Sequence, residues 1–165
     1  MNRFLYFFIL HTAFNISSLC AQKIQCTELS KEVASLINTL KKENYKIGLI
    51  NTDNQLIFET EKKSSQIKFE NLKGFNAKCK TELKDGMHVR FSVYEICLND
   101  SNEAKTYEAK INTIINGNDL TNEKKYDFII RNKNKLIYIT TDARLFYESV
   151  VEQRNKIVKI IQNQR

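Results

Sequence analysis

The chain is 165 residues long, enough for one domain with a substantial core and too short for two ordinary ones. Its formal net charge of +7 is spread over both halves without a run of five like charges, which excludes a basic arm or an acidic tail. Proline is absent and glycine occurs four times, which excludes collagen-like repeats and flexible linkers.

Residues 1–21 read as an export signal. Arg3 supplies the basic start, Phe4 to Leu10 form an unbroken apolar core, and Ser17, Ser18 and Ala21 lead into a cut after Ala21. The apolar run is too short to span a bilayer as a stable helix. Leu19 stands where a lipoprotein signal carries a small residue before its cysteine, so lipid anchoring at Cys20 is not expected. The mature chain, 22–165, is then a single secreted or periplasmic domain.

Three cysteines follow the leader: Cys26, Cys79 and Cys97. An oxidising compartment favours one disulfide and one free thiol. Cys79 and Cys97 flank a hairpin closed at Asp85-Gly86. A two-residue turn would set Cys79 opposite Ser92, too far along the strand for a bridge to Cys97, because the two Cα atoms must lie within about 7 Å. A bridge from Cys26 to one of the other two is therefore expected. No CxxC or HxH spacing is present, and His88 is the one histidine after the leader, so no metal site is expected.

Residues 27–44 have the spacing of a helix, with Leu29, Val33, Leu36, Ile37 and Leu40 on one side and Thr27 as its cap. Ile47–Asn51 and Leu56–Glu59 flank Thr52-Asp53-Asn54 and read as a hairpin. Ile67–Phe69 is a third strand, Gly74 a break, and Phe75–Leu83 a fourth strand. Met87 to Leu98 alternates most clearly, with His88, Arg90, Ser92 and Tyr94 on its polar side. Residues 101–116 fit a helix behind the capping pattern Asp100-x-x-Glu103, although Tyr107, Ala109, Ile111 and Thr113 also alternate as in a strand. Helix is the reading adopted. Tyr126–Arg131 and Lys135–Thr141 form a last hairpin, with Asn132 and Asn134 suited to a left-handed turn. Thr141 or Asp142 would cap a C-terminal helix with the stripe Phe146, Val150, Ile157 and Ile161. The expected fold is a single α+β domain. About seven strands make a mostly antiparallel twisted sheet, with the N- and C-terminal helices packed on one face.

No P-loop, GxGxxG, HExxH or GxSxG pattern occurs, and no cofactor is expected. The acid–base candidates are Glu95, which falls on the apolar side of its strand, and His88. A carboxylate on that side supports chemistry only if its proton affinity is raised. A dyad of His88 with Cys79 or Cys97 is conceivable, but cysteines of exported proteins are more often bridged. Tyr94 beside Arg90 and His88 is the nearest approach to an aromatic-and-basic nucleic-acid surface, and an ordinary cross-strand cluster accounts for it equally well. The expectation is a small exported, non-catalytic binding or inhibitor-like protein. Its partner would be another protein and not nucleic acid, met through a sheet face or the loops around 60–65 and 116–125. The alternatives are a small hydrolase using Glu95 or His88, and a binder of an anionic surface, lipid or glycan.

Overall fold

The computed structural model describes residues 28–50, 52–60, 63–116, 127–141 and 146–163. The leader, Cys20, Cys26, Thr27, Tyr126, Asp142 and most of the expected binding loops lie outside these residues. In chain order the elements are α1 (Lys31–Lys42), β1 (Tyr45–Ile50), β2 (Gln55–Thr60), β3 (Lys63–Lys68), β4 (Asn71–Lys84), β5 (Met87–Cys97), α2 (Ser101–Asn116), β6 (Phe128–Asn132), β7 (Lys135–Thr140) and α3 (Tyr147–Gln162). Five strands form an antiparallel sheet in the order β1-β4-β5-β7-β6, and β2 and β3 form a separate ribbon. The α+β class and the seven strands match the sequence reading, but the strands divide five and two.

That division overturns the expected first hairpin. β1 and β2 do not pair: β1 runs along β4 from Tyr45–Cys79 to Ile50–Gly74, and β2 turns onto β3. The reason lies in where their apolar side chains go. Tyr45 and Ile47 pack into the core beneath α1 and α3, whereas Leu56 and Phe58 enter a second core on the opposite face. Each strand pairs where its apolar side chains can reach the core they fill.

The first core joins Val33, Leu36 and Leu40 of α1 with Val150, Ile157 and Ile161 of α3 over Phe75, Phe91, Val93, Ile137 and Ile139. Both terminal helices thus share one face, as the sequence pattern implies. The second core places Ala104 and Ile111 of α2 with Leu56, Phe58 and Ile67 of the ribbon over Leu72, Ile96 and Leu136. Removing these side chains from water is the main drive for folding.

Local capping and turn residues follow their sequence signals only in part. Residues 101–116 are helical throughout. The Asp100 carboxylate accepts from the backbone N–H groups of Asn102 and Glu103, both at 2.8 Å, and Glu103 accepts in return from Asn99 N–H at 2.8 Å. This reciprocal capping settles helix over strand. α1 begins later than expected, at Lys31, because Ser30 caps it by accepting from Val33 N–H at 3.3 Å; the expected cap, Thr27, lies outside the described residues. In the last hairpin the left-handed residue is Lys133, at φ 54°, and not an asparagine. Asn132 and Asn134 are used as ties: the first donates to Glu32 at 3.0 Å, the second to the Leu98 carbonyl at 2.8 Å. Thr141 is not a cap either. Its hydroxyl donates to the Arg90 carbonyl at 2.8 Å, and α3 starts at Tyr147, behind Phe146, which supplies no side-chain cap.

The β4–β5 hairpin turns through Asp85 (φ 53°) and Gly86 (φ 77°), the left-handed pair that a tight turn demands. Two register shifts follow, between Lys78 and Glu82 and between Glu82 and Lys84. A straight count from the turn therefore misplaces everything beyond them. Ser92 faces Asn76 and not Cys79, while Cys97 faces Asn71 at the far end of β4. Among the described residues no helix is long and apolar enough to cross a membrane.

Candidate functional site

The face of the sheet that carries α2 and the ribbon changes character along the strands. Leu72, Ile96 and Leu136 are buried beneath α2 and the ribbon. One step on, Gly74, Tyr94 and Tyr138 lie in a row across β4, β5 and β7. The next row is Asn76, Ser92 and Thr140, and the last is Lys78 opposite Arg90. Period-two alternation puts all of these side chains on one face. Neither α2 nor a buried part of the ribbon covers the two polar rows. Between them and Gln55 and Ile57 of β2 lies a cleft of about 850 Å³.

The aromatic row closes one end of the cleft. Tyr94 and Tyr138 stack with ring centres 6.0 Å apart and planes 25° from parallel, and Phe58 tilts against Tyr138 at 5.2 Å. Gly74 is required here. A Cβ at that position would lie 2.8 Å from Tyr94 Cδ1 and 2.9 Å from the Val93 carbonyl oxygen, so only a glycine lets the Tyr94 ring rest across β4. What the sequence presents as a break is a seat for an aromatic side chain. The Tyr138 hydroxyl donates to Asp127 at 2.7 Å. Burial, reinforced by the Asp127 carboxylate, pushes the Tyr138 phenol far above its ordinary range.

The polar rows offer hydrogen-bonding groups and positive charge. Ser92 donates its hydroxyl to Asn76 Oδ1 at 2.7 Å. An amide oxygen is no base, so that serine is not activated as a nucleophile. Lys78 and Arg90 stand directly across neighbouring strands, both exposed. The site thus sets several hydrogen-bonding groups beside an aromatic end.

The residues singled out for chemistry are not assembled. Glu95 lies on the other face of β5, buried at the start of α1. Its carboxylate accepts from Ser30 N–H at 2.9 and 3.2 Å and pairs with Lys135 at 3.1 Å. It anchors the first turn of a helix to the sheet. His88 lies opposite Glu82 near the β4–β5 turn, with its Nδ1 buried and without a hydrogen-bond partner among the described residues. An odd separation along a straight strand puts His88 and Glu95 on opposite faces, roughly 24 Å apart. Cys79 is a free, half-buried thiol packed toward the α1–α3 core, on the face away from His88. Cys97 is buried and is not free. Among the described residues no three His, Cys, Asp or Glu side chains are grouped to hold a metal ion.

Arg90, Ser92 and Tyr94 were visible in the sequence as one polar strand face. Asn76, Lys78, Tyr138, Thr140, Asp127 and Gln55 were not picked out. Their signal was the polar alternation of β4 and β7, which becomes a site only once strand order brings the three strands together. No family model, curated protein or solved structure matches the chain.

Proposed function

We propose that this is an exported, non-catalytic binding protein and that the cleft between ribbon and sheet receives its ligand. One observation carries the reading: a cleft of about 850 Å³ built from three strands of the main sheet and one of the ribbon, with a stacked aromatic end and a cationic end. That volume lies in the range of small-ligand sites, which commonly run to about 300–1,000 Å³. A pocket of this kind suits a compact polar ligand better than the flat contact of a protein partner, and it replaces the inhibitor-like role as the favoured form of binding. The hydrolase alternative has no comparable support, since Glu95 is occupied with α1 and His88 stands apart from it.

Export rests on the leader at 1–21 and the cysteine pattern. Cys97 is proposed to be bridged to Cys26. In support, Cys79 is free, and Glu28, close after Cys26 in the chain, borders the same small void as Glu95 and Cys97.

Amide chemical-shift mapping of the isotope-labelled protein against a panel of small polar compounds tests the cleft. Shifts are expected at Asn76, Lys78, Arg90, Ser92 and Thr140. Shifts gathered on the α1–α3 side instead would overturn the assignment. N-terminal sequencing of protein recovered from periplasm or medium is expected to start at Gln22, and an intact leader in the cytosol would overturn export.

A further inference from the structure

We propose that the ligand of this cleft is a short polar peptide, bound in extended form as a third strand along the open edge of β2. The proposal rests on the cleft being a binding site and adds the class of ligand it takes.

Backbone geometry defines the edge. Among the described residues β2 pairs with β3 alone, from Gln55–Lys68 to Thr60–Lys63. Just before β2 the Asn54 carbonyl accepts from Phe69 N–H at 2.7 Å, so it points toward β3. In a trans peptide the C=O and the next N–H point opposite ways, which turns Gln55 N–H away from β3. Along an extended strand these directions alternate residue by residue. The main-chain groups of Leu56 and Phe58 therefore face β3, and those of Gln55 and Ile57 face outward. The cleft is lined by Gln55, Leu56 and Ile57 but not, among the described residues, by β3, so the outward groups open into it. Gln55 and Ile57 each offer it a donor and an acceptor at strand spacing, the complement of an extended main chain.

The side chains leave this edge clear. Leu56 and Phe58 are buried in the second core, and the Gln55 side chain is tied across the ribbon to Gln66. Exposed edges are usually blunted by a lysine, a proline or a bulge. Gln55 to Phe58 carries none of these, and its register with β3 is unbroken. Ile57 is 55% exposed on the outer face of the ribbon, where an added strand would set a side chain beside it. Alternate side chains of that strand would face Asn76, Ser92 and Thr140 on the floor, which favours short hydroxyl- or amide-bearing residues. The edge looks across the cleft at the main sheet, and Tyr94 and Tyr138 close one end. A single short chain suits that space better than the edge of a second folded domain.

The test titrates the full protein with acetyl-Thr-Val-Thr-Val-Thr amide, following amide shifts and hydrogen exchange. Without peptide, Leu56 and Phe58 N–H are expected to exchange slowly and Gln55 and Ile57 N–H fast. Peptide is expected to slow Gln55 and Ile57 by about ten-fold or more and to shift Asn76, Ser92 and Thr140. Methylating the peptide nitrogens one at a time is expected to weaken binding about ten-fold at alternate residues only, because alternate N–H groups meet β2. Ile57→Pro deletes one outward N–H, leaves the β2–β3 ladder whole and is expected to weaken the peptide about ten-fold; the methylated series needs no protein variant. Equal sensitivity at every peptide nitrogen, unchanged exchange at Gln55 and Ile57, or no binding of the peptide overturns the proposal, while small polar compounds that still shift Asn76 and Thr140 leave the cleft as a binding site. Protection of Gln55 and Ile57 that grows with protein concentration alone would put a second copy on the edge and overturn it too. Shifts by every compound outside the cleft overturn both readings.

Discussion

Replacing Glu95 by alanine tests whether this carboxylate is a structural anchor. Glu95 is 4% exposed, accepts from the Ser30 backbone N–H at 2.9 Å and pairs with Lys135 at 3.1 Å. The bond from Ser30 is charge-assisted and contributes about 2 kcal/mol. Its loss also strands the N–H of Ser30, itself 8% exposed, at roughly 1 kcal/mol more. The Lys135 side chain is 26% exposed, so hydration screens the ion pair and it adds well under about 1 kcal/mol. The sum is about 3 kcal/mol, or roughly a 10 °C fall in Tm for a domain of this size. Glu95→Gln keeps an acceptor of nearly the same shape and is expected to cost about 1 kcal/mol. Thermal unfolding followed by circular dichroism measures both. An alanine variant melting within about 2 °C of the wild type, or a glutamine variant as weak as the alanine one, would refute the anchoring argument.

Three further outcomes follow from particular contacts. Gly74→Ala drives a Cβ onto the Tyr94 ring and the Val93 carbonyl, so a loss of about 2 kcal/mol in chemical denaturation is expected, together with displaced Tyr94 resonances; unchanged stability would contradict the seat described for Tyr94. Peptide mapping without reduction is expected to join Cys97 to Cys26 and to leave Cys79 reactive once unfolded, and a Cys79–Cys97 peptide would contradict the register. Burial first, then the negative charges of Cys79, Glu152 and Glu43, pushes Tyr45 up to about 12. A phenol held above its unfolded value of about 10 stabilises the fold fully below that pH, and this contribution drains away as pH rises through about 12. Tyr138 shifts the same way. Tyrosinate absorbance is thus expected to show the exposed tyrosines ionising first, with stability falling between pH 10 and 12; early ionisation of Tyr45 in the folded state would count against its burial.

Much of the architecture was legible one strand or helix at a time. The α1 stripe, the alternation of β5, the Asp100–Glu103 capping pattern and the α3 stripe are local patterns whose period matches a regular backbone, and each became the expected element. Turns were harder. Lys133, Asn132 and Asn134 show why: asparagine suits both a left-handed turn and a side-chain tie, and which use prevails depends on whether a carbonyl or a carboxylate stands within reach. The candidate site was legible only as the Arg90, Ser92 and Tyr94 row. Its other walls come from β2, β4 and β7, separated in the chain by up to five other elements.

By itself the sequence determined the α+β class and the placing of both end helices on one face, because amphipathic period and helix-start chemistry act over a few residues. Only the tertiary structure decided that β1 and β2 part company, that two register shifts bring Lys78 opposite Arg90, and that Glu95 and His88 point to opposite sides. Those outcomes depend on which of two separate cores each apolar side chain enters. That choice is made by the whole chain at once, since a strand can satisfy its backbone beside several partners but can bury its side chains well beside few.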